Sequence, residues 1–191
     1  MTLNRNKAIT RVFAGALDAA HEAGTRFARE TAMIPVEARF DIVITTNSGY
    51  PLDLNLYQSV KGMSAAAQAV RQGGAIIIAT ECWDGIPNHG LYGQLLREAK
   101  SPAELLENIY NFSEPRQDQW EAQVQARVQQ KAEVYVYSGY LTPEQIEEAL
   151  LIPCEDIAAA VEALRGRFGR DARICVMPEG PQTVPYYAGQ D

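Results

Sequence analysis

The stretch "DIVITTNSGYPLDLNLYQSVKGMSAAA", residues 41–67, is the segment on which the reading of the fold turns. It opens with a run of β-branched and apolar residues, breaks at Asn-Ser-Gly-Tyr-Pro, and resumes in a helical pattern. Near-continuous hydrophobicity in the first part suits a strand covered on both faces, whereas a half-solvated strand would alternate. Asp53 is placed to cap a helix running to about Gln72, with Gly73-Gly74 as its stop signal. A strand, a polar loop and a helix make one unit of a parallel α/β sheet, provided the unit recurs.

It does recur. With Phe40 to Thr46 as the first strand, Ala75 to Glu81, Glu133 to Ser138 and Arg173 to Met177 are equally short and equally apolar. Ile9, Val12, Phe13, Ala16, Leu17, Ala20 and Phe27 recur at helical spacing near the start of the chain. Ser101-Pro102-Ala103-Glu104 and Thr142-Pro143-Glu144-Gln145 each place Pro at a first helical position with an acid or amide where a capping box wants one. Further helices are expected from about Glu114 to Lys131 and from Glu155 to Phe168. Strands alternating with helices predict an α/β fold: a mainly parallel, Rossmann-like sheet of about four strands with helices on both faces. At 191 residues, residues 1–191 are expected to form a single domain.

Composition excludes several classes of function. The formal charge is −7 and no lysine or arginine stripe exists, so the clustered positive charge that a nucleic-acid backbone requires is missing. No window has the length and apolarity of a membrane span, and "MTLNRNKAITRVFAGALDAAHEAG" lacks the apolar core of a signal peptide. The expectation is a cytoplasmic protein, without nucleic-acid or membrane partners. The three cysteines, Cys82, Cys154 and Cys175, are widely spaced and form no C-x-x-C pair, which reads as reduced thiols.

In a doubly wound sheet ligands bind outside the carboxyl ends of the strands. That rule selects four loops, 47–52, 82–90, 139–141 and 178–185, all rich in Gly, Pro or polar residues. On the helix after the first strand, Tyr57 and Lys61 are four apart and Gln58 and Lys61 three apart, so the three side chains project from adjoining positions. A phenol, an amide and an ammonium in that arrangement can hold a small anion. The same spacing is equally that of a solvated lysine beside a core tyrosine.

Together, residues 41–67, "GGAIIIATECWDGIPNHG" (73–90), "DQWEAQVQ" (118–125), "VYVYS" (134–138) and "ICVMPEGPQTVPY" (174–186) resemble the C-terminal domain of the nickel-pincer-dependent lactate racemase family, in the expected order over almost the whole chain. The resemblance implies the substrate-facing half of a two-domain isomerase. Such an enzyme interconverts D and L 2-hydroxy acids such as lactate, by moving a hydride to a nickel-pincer nucleotide and back. It also implies that Tyr57, Gln58, Lys61 and Trp120 line the substrate site, with Lys61 as the catalytic group. Residues 1–35 would be a linking helical segment. The metal ligands, the cofactor-linked lysine and the acid/base histidines belong, in the family, to an N-terminal domain, fused or separate. No metal ligand is therefore assigned in this chain, whose two histidines, His21 and His89, are in no ligand-like spacing. The expectation is an excised domain, a natural half, or a degenerate relative.

Three rival readings follow from the residues themselves. Cys82 at the end of the second strand could be a nucleophile, but "ECWDG" surrounds it with Glu81 and Asp84, which would raise a thiol pKa. A nucleotide-binding module of doubly wound type would need a glycine-rich fingerprint after the first strand, and "TTNSGYPLDLN" has a single glycine. A small-anion or interaction module without chemistry is the third. His89, in a loop at the expected mouth, is a further candidate because histidine changes charge near neutral pH.

Overall fold

The computed structural model describes residues 1–4 and 6–189. In chain order the elements are β1 (Thr2–Leu3), β2 (Ile9–Arg11), α1 (Leu17–Ala32), β3 (Met33–Val36), β4 (Phe40–Thr46), α2 (Leu56–Ala69) and β5 (Val70–Ala79). There follow α3 (Tyr92–Arg97), α4 (Pro102–Tyr110), α5 (Gln119–Lys131), β6 (Ala132–Tyr137), α6 (Pro143–Glu148), β7 (Ile152–Pro153), α7 (Ile157–Phe168), β8 (Ile174–Met177) and β9 (Val184–Tyr187).

The central sheet has five strands in the order β7-β6-β5-β4-β8, and every pairing in it is parallel. The fifth strand, absent from the sequence-based expectation of about four, is the two-residue β7 at the edge beside β6. Its brevity and its Pro153 hide it from any periodicity, and an edge is where a strand tolerates proline. Successive side chains of the strands feed two apolar layers. Val43, Ile76, Ile78, Val134 and Val136 pack under α2 to α6 with Leu56, Val60, Met63, Ala122 and Ala126. Ile42, Ala75 and Ile77 face the opposite way, against Leu164 and Cys154. Helices thus cover both faces, with α7 on the second, and the α/β, parallel-sheet expectation holds. Outside the sheet, β1 pairs antiparallel with β2, and β3 pairs parallel with β9.

Four boundaries differ from the sequence reading, each for a local reason. The apolar spacing of Ile9, Val12 and Phe13 belongs partly to a strand, because Gly15 at φ +148° and the extended Ala16 delay α1 to Leu17. Asn55, not Asp53, caps α2: its side chain accepts from the Gln58 N–H. The helix ends at Ala69, and Gly73-Gly74 lie inside β5 instead of before it. There Gly73 takes φ +71° and a Cβ on Gly74 would stand 2.7 Å from the Asp41 carbonyl oxygen, where the register with β4 shifts. The helix expected from Glu114 begins at Gln119. The two Pro-headed helices start as read: Ser101 accepts from the Glu104 N–H, and Thr142 with Gln145 forms a reciprocal capping box.

Candidate functional site

At the carboxyl end of β4 the chain reaches Asn47, a fully buried residue. Its carboxamide accepts from the Gly62 N–H at 3.0 Å and donates to the Gln58 carbonyl at 3.0 Å, and also to the Leu52 carbonyl. Gln58 C=O and Gly62 N–H are the two groups that an α-helix pairs with each other. Asn47 therefore grips α2 at the turn that carries Lys61. The grip needs a glycine, since a Cβ at position 62 would stand 2.7 Å from the Thr46 carbonyl oxygen and 3.1 Å from Asn47 Oδ1. Ser59, one residue beyond Gln58, hydrogen-bonds the Thr80 hydroxyl at 2.6 Å and ties the same turn to the end of β5.

The three motif residues leave this turn in two directions. Lys61 Nζ donates to Gln58 Oε1 at 2.5 Å on the outer face. Tyr57 turns to the neighbouring helices, edge-on to Tyr92 of α3 (centroids 5.4 Å, 83°) and to Trp120 of α5 (5.8 Å, 85°). Tyr92 is buried and its hydroxyl donates to Gln125 Oε1, whose amide in turn donates to the Ala149 carbonyl. Trp120 is 54% exposed, on the first turn of α5, which follows the left-handed Asp118 (φ 61°). Tyr57, Gln58, Lys61 and Trp120 are thus one cluster, brought together by α2 and α5.

A groove of about 440 Å³ runs beside this cluster, lined by Lys61, Trp120, Glu121 and Val124, though not by Tyr57 or Gln58, and closed by Thr183, just before β9, and Pro185 within it. Glu121 was missed by the sequence reading because it is one polar residue of a glutamine-rich amphipathic helix, whose packed side reads as Val124, Val128 and Ala132. It is 2% exposed, and burial pushes its carboxyl up to about 7, opposed by the Lys61 charge and reinforced by Asp118. Burial, with Glu121 and Asp118 adding, also raises the Tyr57 phenol.

A second concavity, about 530 Å³, opens where the sheet rule places it, at the carboxyl ends of β4, β5, β6 and β8, with Thr46, Ser48, Asp53, Thr80, Glu81, Tyr137 and Glu179 in its wall. None of the four motif residues lines it. The sheet-end mouth and the groove beside the motif cluster are thus two concavities, which share the 178–185 loop between them.

Cys82 is fully buried between the Ser59 and Thr80 hydroxyls (3.6 and 3.5 Å), and burial raises its thiol, so it is no accessible nucleophile. Cys154 is buried and Cys175 only partly so. His89 is exposed and lines neither concavity. Among the described residues, no group of three or more His, Cys, Asp or Glu side chains is placed to hold a metal ion, and no helix is long and apolar enough to cross a membrane.

Comparison with known proteins places this geometry in context. The profile of the family described as the lactate racemase C-terminal domain matches residues 36–184. A lactate racemase of Thermoanaerobacterium thermosaccharolyticum is 36% identical over 186 residues, covering 96% of this chain and 43% of that protein. One from Lactiplantibacillus plantarum is 35% identical over 182 residues, covering 94% and 42%. The structure of the lactate racemase apoprotein from Thermoanaerobacterium thermosaccharolyticum superposes with a TM-score of 0.87 at 34% identity, over 96% of this chain and 44% of that one. A Thermotoga maritima protein shares the fold at a TM-score of 0.57 and 10% identity, over 87% and 41%. The chain spans less than half the length of the curated relatives it matches.

Proposed function

The chain belongs to the lactate racemase C-terminal domain family, and from that premise we propose that it supplies the substrate-binding face of an enzyme that racemises or epimerises a 2-hydroxy acid, lactate being the first candidate. In this reading residues 1–35 link it to an N-terminal domain. That domain, fused or separate, holds a nickel-pincer nucleotide, which supplies the hydride-accepting chemistry. Among the described residues no donor set fits a nickel site, and the part proposed for this chain is to bind and orient.

Lys61 places one positive charge at the groove. Its role is to neutralise the substrate carboxylate or the oxygen on which charge develops, a task suited to an ammonium held by a hydrogen bond at the site. Gln58 holds that ammonium through Oε1 and keeps its own amide donors for the substrate. Tyr57 does not line the groove but backs Trp120 edge-on, and Trp120, half exposed at the groove edge, can cover the ligand and exclude water. The observation that carries the reading is the convergence of Lys61 and Trp120, from two different helices, on one groove.

The test is a titration of the chain with D- and L-lactate followed by amide and indole NMR signals. The expected result is a saturable shift centred on Lys61 and Trp120, lost in Lys61→Met. Absence of saturation, or binding indifferent to Lys61→Met, overturns the reading.

A further inference from the structure

One buried acid in the groove has no part in the binding scheme above. Glu121 is on the first turn of α5, next to Trp120, and lines the groove together with Lys61. Among the described residues no protein donor hydrogen-bonds its carboxyl group. The groups facing it are Lys61 and Tyr57 from α2, Tyr92 from α3, and Asp118 at the start of α5. The segment that closes the groove contributes Pro181, Thr183, Val184 and Pro185, none of them titratable. Among the described residues, Lys61 is therefore the single cation of the groove lining, and Glu121 its single carboxyl group.

Two carboxylates and one ammonium in so small a space would leave a like-charge pair that the lysine cannot neutralise. A neutral carboxylic acid removes the conflict and adds an O–H donor. We propose that Glu121 is a further recognition residue of this site: protonated, it donates a hydrogen bond to a carboxylate oxygen of the ligand while Lys61 balances the charge, so that binding of a monocarboxylate takes up a proton. The inference rests on the proposed binding role of Lys61 and extends it to the ligand's class, an anion with a single carboxylate. The raised acidity range of Glu121, caused mainly by burial, agrees with the scheme, since an acid poised near neutrality responds to an arriving anion with little penalty.

The scheme fixes a sign. Above the pKa of free Glu121, binding must first reprotonate it, so lactate affinity falls towards about tenfold per pH unit as the pH rises. Below that pKa the affinity is flat.

Calorimetric titration of the chain with sodium lactate, in two buffers of different ionisation enthalpy, measures the proton uptake directly, and repeating it from about pH 6 to about pH 8 gives the slope. The expected result is uptake of a fraction of a proton near neutrality. Glu121→Gln, which keeps a neutral donor, should bind with no uptake and no slope. Lactate binding by the wild-type chain without proton uptake, or an undiminished slope in Glu121→Gln, overturns the role of Glu121 and leaves that of Lys61 standing. Absence of lactate binding at every pH overturns both. If Glu121→Gln fails to fold, the wild-type proton count decides.

Discussion

The indole of Trp120 stands edge-on to the ring of Tyr57, with centroids 5.8 Å apart and planes at 85°, and the opposite neighbour of Tyr57 is the buried Tyr92 at 5.4 Å. The three rings form a chain from the core to the groove edge. Trp120, at its exposed end, should contribute little to stability beyond the ring contact, about 1 kcal/mol. Trp120→Ala is therefore expected to lower the unfolding free energy by roughly that amount while weakening lactate binding and, in a protein carrying both domains, raising KM. Chemical denaturation and kinetics measure the two effects. A variant that melts several degrees lower with unchanged kinetics would make the tryptophan a packing residue only.

Lys61 is exposed, and its ammonium donates to Gln58 Oε1. Lys61→Ala replaces it with a better helix former, so stability should change by no more than about 0.5 kcal/mol. Turnover of a two-domain protein should fall at least about a hundredfold, the scale on which one preorganised charge-stabilising donor acts. Gln58→Ala should act through KM, because it removes a donor and frees the ammonium without removing the charge. Turnover of Lys61→Ala within a few-fold of wild type takes the lysine out of the site.

The parts of this architecture that were legible in the amino-acid sequence are those that local chemistry decides. The runs in β4 and in the second half of β5 are apolar and buried on both faces because helices cover both, and Ser101-Pro102 and Thr142-Pro143 mark their helices by capping alone. Gly73-Gly74 misled because glycine punctuates helices and also admits an irregular strand, and the close approach of the Asp41 carbonyl that demands Gly74 is a tertiary fact. The buried face of α5 escaped periodicity for a different reason. Glu121 and Gln125 sit on it together with Ala122 and Val128, and Gln125 is satisfied by Tyr92 and the Ala149 carbonyl, partners that a linear reading cannot see. Trp120 was reached through the family resemblance and not through any pattern in its own helix.

The buried acid also makes stability depend on pH, independently of any ligand. The folded state holds the Glu121 proton up to about 7, against 4.5 for an unperturbed glutamate, so between those values the folded chain binds more protons than the unfolded one. The contribution is complete below about 4.5 and is lost as pH rises through about 7. The full swing is on the order of 3 kcal/mol. Urea unfolding of wild type and Glu121→Gln at both ends of this window should show the wild type losing stability relative to the variant as the pH increases. A difference that stays constant across the window would mean that Glu121 titrates in the ordinary carboxylate range.

The last prediction concerns the grip of Asn47 on α2. Its carboxamide serves the Gly62 N–H, the Gln58 carbonyl and the Leu52 carbonyl, all from a side chain with no exposure to water. Asn47→Ala deletes those partners inside the fold, and each buried group left unpaired costs about 1–3 kcal/mol. A total loss of roughly 2–4 kcal/mol is expected, the helix recovering part of it by pairing Gln58 C=O with Gly62 N–H directly. Gly62→Ala attacks the same contact from the other side. The added methyl would meet the Thr46 carbonyl oxygen at 2.7 Å, and the overpacking cost of about 1–3 kcal/mol outweighs the helix-propensity gain of about 1 kcal/mol. Because both changes act on one contact, the double variant should be less destabilised than the sum of the singles, by about 0.5 kcal/mol or more. Both should also weaken lactate binding more than an exposed substitution of equal stability cost, since the turn they release carries Gln58 and Lys61. Strict additivity in denaturation, together with unaltered lactate-induced shifts at Lys61, would reduce Asn47 to an ordinary buried amide with no hold on the site.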